Sequence, residues 1–234
     1  MPNKSASKAT TPATVQAAKP SSAPPDPAQP AVKKKPSSAE IAAQIVAGSA
    51  EPGLAYYARA LEDENPHTAG VAARVLEEVV NLKPELCAPH IERFVRVLMG
   101  QSPRAVQASA TTLPLLAKVA PAKVARHLEK LRNGFDAATD VGKEGMVRTF
   151  VALCLASVAY QKRVVDVLER ALGSAEPRTL QRWTELVLPA LKGEPHAQAR
   201  SVVEQRLPEI PRPIAEKIGD FLGIRLRPSR FPVG

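Results

Sequence analysis

The 234-residue sequence predicts an all-α chain made of repeated helical hairpins. Two observations carry that prediction. Pro66, Pro103, Asp140 and Pro177 are spaced by 37 residues, and each stands at the head of an apolar pattern with helical period. The stretch PELCAPHIERF, Pro84–Phe94, returns 37 residues later as PAKVARHLEKL, Pro121–Leu131, with proline, histidine and glutamate at matching offsets. A single hairpin of this length cannot bury its own apolar face. The next copy covers it, so the sequence repeats because the stacking surface repeats.

Residues 1–38 hold eight prolines and eight alanines, and Val15 and Val32 are their largest apolar side chains after Met1. Such a segment buries too little surface to offset its ordering entropy, which predicts a disordered arm. Ser37 or Ser38 is expected to cap a first helix with Glu40, Ile41, Ile45 and Val46, ending at Gly48. A second helix is expected from Pro52 to the break at Asn65-Pro66.

The first helices of the repeating pairs are expected at 67–82, 104–119, 143–158 and 178–191. A proline at a helix start is physically natural, because that position needs no amide donor, and Asp140 would act there as an N-cap. The second helices are expected at 85–98, 122–133, 161–172 and 196–207. Apolar stripes predict the core: Val75, Leu76 and Val79, then Leu113, Leu116 and Val119, then Phe150, Cys154 and Leu155, then Leu180, Trp183 and Val187. A final helix in PRPIAEKIGDFLGI, Pro211–Ile224, is expected to bury Ile214, Ile218, Phe221 and Leu222 as an end cap. The predicted division is therefore a tail over 1–38, a repeat domain over 39–224 and a basic tail over 225–234.

Helical pairs on this period, joined by a very short turn and opened by a proline, resemble HEAT and armadillo-like repeats over 66–207, or 39–224 with the end helices. The resemblance implies a right-handed α-solenoid of stacked antiparallel hairpins. It also implies a scaffold whose inner face, formed by the second helices, grips a protein segment or in some members nucleic acid. Some HEAT-like proteins of this size excise alkylated DNA bases with an acidic residue and aromatic side chains on a basic face. Aromatics make up only 4% of this chain, and the sole tryptophan, Trp183, lies on a core stripe, which weakens that third reading.

Charge is unevenly placed within the net +9. Residues 1–38 hold six lysines and one acid, and residues 206–234 hold six basic and three acidic residues. Attraction to nucleic acid or another acidic surface would thus come mainly from the ends, through Lys33, Lys34 and Lys35 and through Arg225, Arg227 and Arg230. On the second helices, a glutamate followed by a base recurs at Glu92-Arg93, Glu129-Lys130 and Glu169-Arg170. Arg93, Lys130 and Arg170, with Arg126 and Arg163, are the candidate partner-binding residues, and the first three are expected to share one surface column. IRLRPSRFPVG at the end of the chain alternates like an extended segment, read either as a docking peptide or as a tail folded onto the last helix.

The sequence offers no catalytic constellation. Gly142 and Gly145 in DVGKEGM lack the spacing of a phosphate loop and read as small residues packed near the neighbouring hairpin. No histidine pair has close metal-ligand spacing, and Cys87 and Cys154 read as buried free thiols. No catalytic residue, cofactor or metal is expected. The expected partner is a protein, with nucleic acid as the alternative through the tails. No membrane span is expected, the oligomeric state is left open, and the expected compartment is the cytoplasm, or the nucleus in a eukaryote.

Overall fold

The computed structural model describes residues 36–226. Among them every regular element is helical. Helix α1 (Ser38–Ala47) starts on a capping box: the Glu40 amide donates to the Ser37 hydroxyl at 3.2 Å, and the Ser37 amide donates to the Glu40 carboxylate at 2.6 Å. Gly48 ends it with φ 75°, a left-handed geometry that suits glycine. Helix α2 (Leu54–Ala60) is shorter than expected, beginning after Pro52 and stopping before Asn65.

The paired elements then follow. Helix α3 (Pro66–Leu82) leads to a 3₁₀ segment (Pro84–His90) and α4 (Ile91–Leu98). Helix α5 (Pro103–Val119) leads to α6 (Pro121–Ala125) and α7 (Leu128–Gly134). Helix α8 (Asp140–Ala156) leads to α9 (Val158–Ser174). Helix α10 (Pro177–Val187) leads through a 3₁₀ turn (Leu188–Ala190) to α11 (Gly193–Arg206), and α12 (Arg212–Leu222) closes the set. Pro66, Pro103, Asp140 and Pro177 are each the first residue of a helix. The cap before α8 is Thr139, whose hydroxyl accepts from the Gly142 amide, so Asp140 is not the N-cap but the first helical residue.

Two expected second helices are each divided in two. Pro89 lacks an amide and disfavours α geometry in the residue before it, so the chain runs as 3₁₀ until α4 restarts. The second pair breaks at the equivalent place without any proline. His90 has φ −106° and ψ 10°, and its repeat equivalent His127 has φ −100° and ψ 9°. The repeat therefore keeps a backbone step as well as a pattern of side chains. Helix α10 also ends early, because Pro189 cannot continue it.

Helices α3, α5, α8, α10 and α12 pack each on the next, and α1 covers α3. Helix α11 packs on α9. One contiguous core runs through all of them, from Ala42 to Leu222. The most extensive contact is α5 on α8. Glycine permits it: a Cβ on Gly145 would stand 2.6 Å from the Cα of Ala110, and one on Gly142 would stand 2.7 Å from the Leu98 carbonyl oxygen. DVGKEGM is thus a packing surface. The stripe residues Leu113, Leu116, Phe150, Cys154, Leu180 and Trp183 are buried as expected.

Val119, Leu155 and Phe221 are not buried; they are 42%, 66% and 44% exposed. Val119 and Leu155 lie in the last turns of their helices. Leu82, the last residue of α3, is exposed as well, so the ends of the first helices are open in three successive units. Phe221 lies on α12, the last described helix. After Gly223 the chain turns back, and Ile224 and Leu226 pack against the core with Leu226 near Gly219. That part of the terminal segment is folded onto α12.

A buried glutamine ties two units together. The Gln161 amide donates to the carbonyls of Cys154, at 3.2 Å, and Ala190, at 3.0 Å, while its oxygen accepts from the Lys192 amide at 3.0 Å. Gln161→Leu would strand all three backbone groups and should cost at least about 2 kcal/mol, with faster hydrogen exchange at the Lys192 amide. Gly145→Ala should also destabilise, by about 1–2 kcal/mol in urea unfolding, because the clash outweighs a helix-propensity gain of about 1 kcal/mol. The control is Gly173→Ala, whose Cβ would meet nothing closer than a Val202 methyl at 3.7 Å. It should be neutral or stabilising.

Candidate protein-interaction surface

Several charged side chains of the second helices are engaged with neighbouring units. Arg96 meets Glu62 at 2.8 Å, Arg132 meets Asp166 at 2.6 Å, Arg170 meets Asp136 at 2.6 Å and Arg163 lies 3.9 Å from Glu129. The separation along the chain is the same in every one of these pairs, and it falls about one helical turn short of the repeat period. Arg93 also pairs with Glu62. Arg206 extends the same spacing, donating to the Leu172 carbonyl at 3.2 Å and to the Ala175 carbonyl at 3.2 Å, so that it caps the end of α9.

Of the sequence-predicted partner residues, Arg93, Arg163 and Arg170 are therefore held in inter-unit ion pairs. Lys130 and Arg126 are exposed and form no ion pair among the described residues. Arg170 stands opposite Asp136, which follows Lys130 beyond the end of α7. Arg225 is exposed. Lys33, Lys34, Lys35, Arg227 and Arg230 lie outside the described residues, as does the expected disordered arm up to residue 35, whereas Ser38 at its expected end is the first residue of α1.

A concave surface lies on the row of first helices. A groove of about 590 Å³ crosses α5, α8 and α10. Pro114, Leu115, Val151, Leu155 and Leu186 give it an apolar lining, and Lys118 stands among them. A second depression of about 910 Å³, between α10 and α12, shares Arg182 and Glu185 with the first. The sequence reading missed this surface. Its one legible sign is Pro114, a proline inside a long helical pattern, which has no amide to donate to the Ala110 carbonyl.

Glu144 braces the groove wall. Its carboxylate accepts from Arg148 at 2.8 Å within α8, and from Arg182 at 2.8 Å and the Trp183 indole at 2.7 Å on α10. Burial alone would raise its pKa, but the hydrogen bonds from Arg182, Trp183 and Arg148 outweigh it and hold the carboxyl below its ordinary value. Trp183 is 5% exposed and tilts against Phe135, so the tryptophan is a core residue with its one polar atom satisfied.

The thiols of Cys87 and Cys154 are free and buried, and burial pushes each up to about 12. His90 is half-buried, and burial with the nearby Arg93 holds it below its ordinary value. Among the described residues no group of three or more His, Cys, Asp or Glu side chains is arranged to hold a metal ion, and no helix is long and apolar enough to cross a membrane. No protein-family model matches the chain, and no curated protein matches it. Fold and surface together define an all-helical protein with a lined groove on its first helices.

A carboxyl with a depressed pKa stabilises the fold fully above its unfolded pKa, and the contribution disappears as pH falls through the folded value. Glu144→Gln should therefore cost about 1–2 kcal/mol at neutral pH. The gap from the unaltered protein should close as pH drops below the ordinary carboxylate range. Urea midpoints measured from neutral pH down into the acid range check both the size and the direction.

Proposed function

We propose that this chain is a non-catalytic helical-repeat scaffold or adaptor that binds a protein partner or helps to assemble a larger complex. In this reading the paired helices form a right-handed α-solenoid of the HEAT type, with a basic tail at each end. Support comes from the constant spacing of the helix starts at Pro66, Pro103, Asp140 and Pro177, each first helix packing on the next, which is how a stacked array builds an extended face. The observation that carries the binding reading is the groove across α5, α8 and α10, where Leu155 is left 66% exposed among other apolar side chains.

The test is affinity purification of the tagged full chain from native extract, with and without nuclease, followed by low- and high-salt washes. Protein partners should survive both nuclease and salt. Their loss under both treatments would replace this reading with that of a nucleic-acid-associated protein held by its basic ends.

A further inference from the structure

We infer that the first-helix groove receives an acidic amphipathic helix of a partner protein. The inference rests on the scaffold reading and names the chemistry of the ligand. Three properties of the surface select it: an apolar strip, a cationic surplus and a paired carboxylate.

The strip is formed by Pro114 and Leu115 on α5, Val151 and Leu155 on α8, and Leu186 on α10, with Ile214 in the adjoining depression. Successive contributions from parallel rows suit a ligand whose apolar residues recur along one face, as they do on a helix. A phosphate backbone has no use for a leucine-lined floor, so the strip favours protein over nucleic acid.

Five cations line the two connected depressions, Lys118, Arg148, Arg178, Arg182 and Lys217, against three carboxylates, Glu144, Glu176 and Glu185. The carboxylate of Glu144 is already shared by Arg148 and Arg182. Lys118, Arg178 and Lys217 have no ion-pair partner among the described residues. Glu176 and Glu185 have no ion-pair partner among the described residues either, so the two depressions keep a surplus of two positive charges. This also selects against occupants from the chain itself: both tails are basic, and a second copy would bring the same net +9. The complementary occupant is a partner segment with leucine-like residues on one face and Asp or Glu beside them.

The probe is a fluorescein-labelled amphipathic helix of leucine and glutamate, compared with its leucine and lysine counterpart and with a single-stranded oligonucleotide. Binding is read by fluorescence anisotropy on the full chain. The Glu peptide should bind at least tenfold more tightly than the Lys peptide. Leu155→Asp should weaken it at least tenfold, and Lys118→Glu at least threefold. Both side chains are exposed, and unchanged thermal unfolding confirms that these variants fold. Equal affinity for the two peptides, indifference to Leu155→Asp, or binding of the oligonucleotide alone overturns the inference. If the probe fails while extract partners survive nuclease and salt, the groove assignment falls and the scaffold reading stands. If those partners also vanish, both fall.

Discussion

Helices α5 and α8 approach closely enough that residue 145 has no room for a side chain: a Cβ there would fall 2.6 Å from the backbone of Ala110. This contact joins the second pair to the third, and α8 in turn carries α9 and α10. Its consequence is a helix buried on several sides. Phe150, Val151, Ala152 and Leu153 are consecutive and so point around the whole helix, yet each is within the core. A helix surrounded in this way must meet its neighbours at chosen distances, and glycine at 142 and 145 sets the shortest of them.

The polar cross-links follow from the same stacking. Gln161 satisfies backbone groups at both ends of a unit boundary, and Arg206 satisfies the exposed carbonyls where α9 ends. These groups are intolerant of loss, since a buried polar atom without a partner costs about 1–3 kcal/mol. The evenly spaced arginine–carboxylate pairs between second helices are different. Exposed pairs contribute about 0–1 kcal/mol each, so their number says little about stability. Their shared separation along the chain recurs across unit boundaries, and charge complementarity favours the register that brings those residues together.

The sequence displays what repeats within one unit and conceals what depends on the relation between units. Helix starts at Pro66, Pro103, Asp140 and Pro177 are legible because prolines and caps act locally, and the burial of Trp183 is legible from its stripe. The break at His127 is not, because no proline marks it. Arg93 and Arg170 read in sequence as a column awaiting a partner, yet Arg93 pairs with Glu62 and Arg170 with Asp136, both earlier in the chain, and that geometry follows from the register between units. Leu155 reads as core for a related reason. Its own helix pattern is apolar, but it lies in the last turn of α8, and the ends of α3 and α5 expose Leu82 and Val119 in the same way. An apolar stripe reports what a helix can bury, whereas exposure at a helix end depends on what stands beyond it.

Both rows of helices carry ion pairs between units, Arg104 with Glu77 and Arg182 with Glu144 on the first, Arg132 with Asp166 on the second. On the second helices, Arg96, Arg132 and Arg170 are engaged by neighbouring units, while Arg126 and Lys130 have no ion-pair partner among the described residues. On the first helices, Lys118 and Arg178 stand unpaired beside apolar surface that water still touches. Covering a leucine such as Leu155 returns about 1.5–3 kcal/mol, more than an exposed ion pair can supply. Apolar contact would therefore set the strength of association at this face, and the unpaired cations would set its choice of partner and its rate of encounter.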